Sequence, residues 1–389
     1  MKVKTILCKS ALTKSGISGV DYVINPYTGC AHACVYCYAD FMRRFTGHEG
    51  DVWGTFVDVK ANIVERLRRE LMGREGREPE ERQSLSLQCL PLPRLSLHKM
   101  ALRQARAMRY TGEVMFSSVT DPYQPLEAKW KLTRGCLEVL LEAESIELTA
   151  GLAWAEAKPQ PGVAGVVAQP DGAGTTAWPE LDRVMIQPDV TRPMDQAKET
   201  AKESRSEATG PKAGGQPRTI SILTKSDLVT RDIDILRDFR DCTVGLTITT
   251  ARDDVARIFE PGAPPPSRRF AALEKLNKAG IRTWVFVAPV LPFFSDRPEE
   301  MELLFKAVAA AGTREISIDS MNFYPSVKYR LNRLFSRISQ NGNHTGGEHA
   351  CAIAYLNKAM RDQEAWRIDI RASAHEAAAR CGIHVKFAF

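Results

Sequence analysis

Short apolar runs rich in β-branched and aromatic residues recur at Glu113 to Val119, Thr219 to Thr224, Thr243 to Thr249, Thr283 to Val290 and Glu315 to Ile318, each followed by a helical pattern. This alternation constrains the fold more than any other feature of the chain. Strands that are apolar on both faces and joined by helices belong in a parallel sheet covered on both sides. The pattern therefore predicts an α/β fold, either a barrel or a doubly wound sheet, and periodicity does not choose between them. The clearest helix follows Thr243 to Thr249, with Ser267 expected as N-cap, Phe270, Leu273 and Leu276 on one stripe, and Gly280 as the stop. Another is expected to start near Thr133 and to carry Cys136, Leu137, Leu140 and Leu141 on its apolar pattern.

The run Asn25-Pro-Tyr-Thr-Gly-Cys30-Ala-His-Ala-Cys34-Val-Tyr-Cys37-Tyr38 carries the chemistry. Asn25-Pro26 and Gly29 suit a turn that ends a strand and lifts a loop away from it. Cys30, Cys34 and Cys37 would then set three thiolates around one face of a cubane iron–sulfur cluster, which normally takes four, so that one iron stays open for chemistry. Two other readings of the same residues exist. A zinc site would borrow His32 or His48 as its fourth ligand, although thiolate zinc sites usually come as two separated pairs. A bacterial ferredoxin cluster would need a fourth cysteine three residues after the third, followed by proline, and Asp40 and Phe41 lie there instead.

Polar residues gather just beyond the expected strand ends. They include Ser117-Ser118-Val119-Thr120-Asp121, then Thr224-Lys225-Ser226, then Thr247-Ile-Thr-Thr250, with Phe259-Glu260-Pro-Gly262 before the next helix and Val287-Ala288-Pro289 closing the fifth strand. The cysteine run resembles the signature of the radical S-adenosylmethionine (SAM) enzymes. Taken in order and spacing, the whole set is similar to spore photoproduct lyase and its wider family of DNA repair photolyase-like proteins. That similarity covers Ser18 to Glu142 with one interruption, and Thr219 to about Pro325. It implies a partial (β/α)6 barrel with the active site at the C-terminal strand ends, as in full barrels. It also implies a [4Fe-4S] cluster on Cys30, Cys34 and Cys37, whose open iron is chelated by SAM and whose electron cleaves SAM to a 5′-deoxyadenosyl radical. By the same resemblance Tyr38 offers a backbone contact to adenine, Lys225 pairs with the SAM carboxylate, Thr247 hydrogen-bonds SAM or its ribose, and Ala288 lies against the adenine, while Ser118, Asp121 and Glu260 complete the cofactor-binding set. An external electron donor of the flavodoxin or ferredoxin type and a DNA or RNA substrate are the partners it implies.

One departure separates this chain from the lyase. There a cysteine after the second strand returns a hydrogen atom to the product radical, and Ser118 falls at that place here. A serine O–H is too strong a bond to replace a thiol, so the family's substrate does not carry over with its chemistry; Tyr123 and Tyr324 are the tyrosines considered as substitutes. The other cysteines, Cys8, Cys89, Cys136, Cys242, Cys351 and Cys381, form no local motif for a second cluster, which argues against the members of the superfamily that carry auxiliary clusters. The alternatives from other classes are a nucleic-acid-binding protein with a structural cluster and a zinc-binding module.

The rest of the composition is permissive. A formal charge of +6 is compatible with nucleic acid without requiring it. Basic residues cluster at Arg66, Arg68 and Arg69, at Arg94 to Arg109, and at Lys328, Arg330, Arg333 and Arg337, where each group would suit a phosphate track or a solvated helix face. Nine cysteines and an N-terminus without a long apolar segment fit a cytoplasmic protein, and the apolar run Trp284 to Phe294 is well short of the roughly 20 residues that span a bilayer. Four regions are expected: 1–142 as the first part of the barrel with the cluster loop, 143–217 as an Ala/Gly/Pro-rich and largely disordered insertion, 218–340 as the second part of the barrel, and 341–389 as a C-terminal helical tail. A basic helix from Leu97 to Met108 and a hairpin near Val184 to Ile186 are further expectations. The tail should begin as a polar loop to His349 and become helical from Ala350 to Arg380.

Overall fold

The computed structural model describes residues 1–72, 110, 112–156, 218–340 and 346–389, with side chains described outside 147–156, 338–340 and 346–350. Six strands carry the main sheet in the order of the chain: β3 (Tyr22–Ile24), β6 (Glu113–Phe116), β7 (Thr219–Thr224), β8 (Cys242–Thr247), β9 (Arg282–Val287) and β10 (Glu315–Ile318), each parallel to the next. A doubly wound sheet requires the strand order to reverse at a switch point. Here the order is monotonic, and right-handed crossovers then put the helices on one face, the connectivity of a barrel. The barrel is not closed. β2 (Thr13–Lys14) pairs antiparallel with β3 at one edge, and β11 (His384–Phe387) pairs parallel with β10 at the other.

The expected runs Thr219 to Thr224 and Glu315 to Ile318 coincide with β7 and β10, and the other three begin within a residue of their strands but extend two or three residues beyond the strand ends. Of the residues just beyond those strand ends, Ser117, Ser118, Val119, Ala288 and Pro289 line the cavity described below. Helices follow the apolar stripes. In α1 (Ile63–Met72), Ile63, Leu67 and Leu71 recur every four residues and are fully buried against α2 (Leu132–Glu156), on which Leu137 and Leu140 are likewise buried. A side chain that leaves water this completely contributes about 1.5–3 kcal/mol.

Several expectations change. Among the following helices, α3 (Asp253–Phe259) precedes α4 (Pro266–Lys278), and α4 is capped not by Ser267 but by Pro265, with Pro266 in its first position, where the missing N–H costs nothing. Ser267 lies inside the first turn and spends its N–H and hydroxyl on Asp253 of α3, at 3.0 and 2.6 Å. Helix α2 runs on to Glu156, so the first residues of the Ala/Gly/Pro-rich segment are helical, as their Ala, Leu and Glu content favours. Residues 157–217, which include Trp178 and Val184 to Ile186, and the basic stretch Leu97 to Met108 lie outside the described residues.

After α5 (Pro298–Ala310) and α6 (Pro325–Gln340), the tail forms two helices, α7 (Gly346–Arg361) and α8 (Gln363–Cys381). They are separated at Asp362, whose carboxylate accepts the Ala365 N–H at 3.1 Å as an N-cap. His349 is thus on helical backbone and not in a loop, while His344 lies outside the described residues. A small second sheet was not legible at all: β1 (Lys2–Ile6) runs parallel to β5 (Phe56–Lys60), which pairs antiparallel with β4 (Tyr27–Thr28). β1 is largely exposed and carries Lys2 and Lys4, so it lacks the apolar signal of the barrel strands.

Candidate active site

At the C-terminal strand ends lies a cavity of about 180 Å³. Cys30, Cys34 and Cys37 line it together with Tyr38, Ser118, Asp121, Lys225, Thr247 and Ala288. Glu260 is the one expected site residue outside the lining. Trp53, Asp319, Ser320 and Asn322 are among the lining residues that the sequence did not nominate, and His32, considered there only as a zinc ligand, lines it too.

The loop bearing the cysteines is held by long-range bonds. Gln124 accepts the Ala31 N–H at 3.0 Å, and Thr120 donates its hydroxyl to the Gly29 carbonyl at 2.5 Å. The connection between α3 and α4 grips the loop's far side, with the Phe259 carbonyl accepting from Val35 N–H at 2.9 Å and Gly262 N–H donating to the His32 carbonyl at 3.0 Å. A side chain at Gly262 would place its Cβ only 2.2 Å from the Ala31 carbonyl oxygen, so the approach requires glycine. From helix α6, Arg330 donates to the carbonyls of Val35 and Cys37 at 2.7 and 2.6 Å and pairs with Asp40 at 2.8 Å. The basic group on α6 is therefore not one phosphate track: Arg330 faces inward to the cysteine loop, and Arg333 lies exposed over the Tyr329 ring.

Glu260 acts behind the cavity. It is buried with Arg269, to which it is ion-paired, and accepts hydrogen bonds from the Tyr36 hydroxyl and from Thr249 at 3.0 Å. Burial pushes its carboxyl up, but Arg269 and then Lys225 outweigh burial and hold it below its ordinary value. Arg269 also donates to the carbonyls of Thr247 and Pro264 at 3.0 and 2.8 Å, which ties the end of β8 to the start of α4. Nothing in a Pro-Pro-Ser-Arg-Arg stretch announces a buried arginine. The Lys225 ammonium sits 5.7 Å from the centre of the Tyr36 ring that Glu260 orients.

Asp121 lines the cavity, yet most of its acceptor capacity is spent within the protein. It accepts from Thr224 at 2.6 Å, Tyr123 N–H at 2.9 Å and Lys225 N–H at 2.7 Å. Burial raises its carboxyl, but His32, with Nδ1 3.4 Å away, and these bonds bring it down to about 2. Its role in the geometry is to join the ends of β6 and β7. Ser118 donates its N–H to Asn25 at 3.2 Å and accepts from the Tyr38 hydroxyl at 2.7 Å, so its backbone is pinned between strand β3 and the cysteine loop. Tyr123 is fully buried under Arg231, and neither it nor Tyr324 is among the cavity's lining residues.

The three thiols are the soft donor set that an iron–sulfur cluster takes from protein. Burial drives all three upward, Cys34 to about 12 with Lys225 pulling the other way, so the metal-free loop keeps its thiols protonated. They line the cavity, but among the described residues no three His, Cys, Asp or Glu side chains converge to hold one metal ion. His48 cannot complete a zinc site as it stands, because its Nδ1 bonds Asp51 at 2.6 Å and its Nε2 bonds Asp58 at 2.9 Å. His32 Nε2 and the indole nitrogen of Trp53 are buried without a hydrogen-bond partner, as expected of a wall that faces a polar guest.

Comparison with known proteins gives the class. The family model described as the radical SAM superfamily matches residues 184–308, downstream of the cysteine loop. An uncharacterized protein of Methanocaldococcus jannaschii is 24% identical over 296 residues, which are 76% of this chain and 70% of that protein. An uncharacterized protein of Mycobacterium tuberculosis is 24% identical over 330 residues, 83% of this chain and 66% of the relative, so the match spans about two thirds of that relative's length. Among solved structures, a cysteine-to-serine mutant of spore photoproduct lyase has a TM-score of 0.51 at 13% identity, covering 100% of this chain and 82% of that one. A double mutant of the lyase with bound AdoMet and dinucleoside spore photoproduct has a TM-score of 0.51 at 12% identity, with the same coverage. Residues 184–308 are thus similar to the radical SAM superfamily of enzymes, and the fold of the chain is similar to that of spore photoproduct lyase. The family implies an iron–sulfur cluster and SAM as cofactors. No described helix is long and apolar enough to cross a membrane.

Proposed function

We propose that this protein cleaves SAM reductively at a [4Fe-4S] cluster held by Cys30, Cys34 and Cys37, and uses the product to take a hydrogen atom from a substrate that reaches the cavity. The observation that carries this reading is that three thiols, two of them on buried residues and that of Cys37 on a half-buried one, line one cavity at the strand ends with Lys225, Thr247 and Ala288. When bound, the cluster supplies the electron that breaks SAM and releases the 5′-deoxyadenosyl radical. The chain's own residues bind and orient. Lys225 offers a positive charge for the SAM carboxylate, Thr247 and Tyr38 offer polar contacts, and the buried Arg269 and Glu260 keep Tyr36 and the end of β8 in place around them. The cysteines' burial keeps water from a reduced cluster.

Nucleic acid is the substrate class we favour, on the likeness of the fold to a lyase that binds a dinucleoside lesion. Ser118 lies where that enzyme's family presents a thiol, so repair of the spore lesion itself is not the expected reaction. An electron donor of the flavodoxin or ferredoxin type and a cytoplasmic setting complete the reading. The test is anaerobic reconstitution with iron and sulfide, reduction with dithionite in the presence of SAM, and assay for 5′-deoxyadenosine. A coloured protein that leaves SAM intact would make the cluster structural, and a colourless protein that binds zinc would overturn the reading altogether.

A further inference from the structure

Trp53 lines the cavity and is 6% exposed, and its indole nitrogen is buried with no acceptor. It belongs to a small apolar group separate from the main core, made of Cys30, Ala39, Trp53 and Phe56, against which Cys37 and Val119 pack. Its place is fixed from two directions. The ring stands edge-on to Phe56 at 5.9 Å, and the next residue, Gly54, passes so close to the loop that an added Cβ would lie 2.3 Å from that of Ala33, between Cys30 and Cys34. A buried donor without a partner is rare and unfavourable, and tryptophan can only donate. The ring cannot turn away without leaving its packing against Phe56. Whatever fills this part of the cavity must therefore bring an acceptor to Trp53, and the group that the neighbouring cysteines would hold presents sulfur.

We propose that the Trp53 N–H donates a hydrogen bond to a sulfur of the cluster held by Cys30, Cys34 and Cys37, and thereby raises the cluster's reduction potential. The inference rests on the cluster reading given above. A donor aimed at sulfur favours the more negatively charged, reduced state, and hydrogen bonds to sulfur are one of the levers that set iron–sulfur potentials. Trp53 is a tuning residue; it takes no part in bond breaking.

The test is a dithionite redox titration of the reconstituted Trp53→Phe protein beside wild type, followed by electron paramagnetic resonance. Phenylalanine keeps an aromatic ring and removes the N–H. The expected result is equal iron and sulfide content with reduction about tenfold less favourable, a fall of roughly 59 mV for a one-electron couple. An unchanged potential at equal iron content would overturn the inference. Should the variant fail to fold or to assemble, wild-type protein carrying ¹⁵N-indole tryptophan decides the matter: an electron–nuclear coupling from indole nitrogen in the reduced protein supports the bond, and its absence refutes it. If wild type takes up no iron and sulfide, the cluster reading itself fails, and that outcome is visible before any variant is made.

Discussion

The two walls of the cavity are built on different principles. On one side Lys225, Thr247 and Ala288 stand at, or one residue beyond, the ends of β7, β8 and β9, so regular strand pairing alone brings them together. On the other, Cys30, Cys34 and Cys37 ride a loop whose positions are dictated by side chains and backbone from residues 120–124, 259–262 and 330. A strand-end residue has the whole sheet as its scaffold. A loop residue has only the few bonds that hold the loop, and each of those bonds is individually removable.

The comparison predicts where damage will be greatest. Replacing Cys34 with alanine should abolish both iron uptake and SAM cleavage, because a group already short of one protein ligand loses a second, whereas Cys242→Ala should leave both intact. Iron, sulfide and 5′-deoxyadenosine assays read this directly, and cleavage at the wild-type rate by the Cys34 variant would sink the assignment. Next in size is Arg269→Met. It strands Glu260 as an unpaired buried charge, a loss of about 3–5 kcal/mol that thermal or denaturant unfolding should register. Stability equal to wild type would mean that Glu260 does not need its partner.

Lys225→Ala probes the strand-end wall. Removing one charge-assisted contact should weaken SAM binding by about 1.5–3 kcal/mol while the cluster assembles normally. Equilibrium dialysis of labelled SAM measures it, and unaltered affinity would assign the carboxylate to another group. Arg330→Lys probes the loop wall in return. It keeps the charge but loses the fork that reaches two carbonyls, so iron occupancy after reconstitution should fall while overall stability changes little. If instead Lys225→Ala lowers iron occupancy and Arg330→Lys does not, the division between the walls is wrong. The smallest effect is expected from Ser118→Cys, which should leave SAM cleavage unchanged; wild type should restore no thymine from spore-photoproduct DNA, and rapid repair would show that a residue other than Ser118 returns the hydrogen.

The same division explains what could be read in advance. Strand runs such as Thr219 to Thr224 and the stripe Phe270, Leu273 and Leu276 of α4 repeat at the period of their element, and a local pattern of that kind survives in one dimension. The cysteine spacing is local too. Arg269 and Arg330 gave no such signal. Their functions depend on partners, Glu260 and the Val35 and Cys37 carbonyls, that only folding brings near, and from the chain alone an arginine on a helix reads as a solvated charge. Glu260 shows the same limit from the other side: the family resemblance implied a ligand contact, and the structure buries it beside Arg269, where it supports Tyr36. Trp53 carries no signal of its own in the sequence, where a tryptophan is usually core, and only the three-dimensional structure shows its N–H without an acceptor.

By itself, the amino-acid sequence determined the α/β alternation, the three-thiolate loop and the polar residues at the strand ends, because each is encoded by neighbours a few residues apart. The tertiary structure decided that the strand order runs without reversal, that the sheet stays open between β2 and β11, and which side chains hold the loop. Those outcomes depend on contacts between residues as many as 295 positions apart, as between Arg330 and Val35, and long-range packing, unlike periodicity, leaves no mark in the order of the residues.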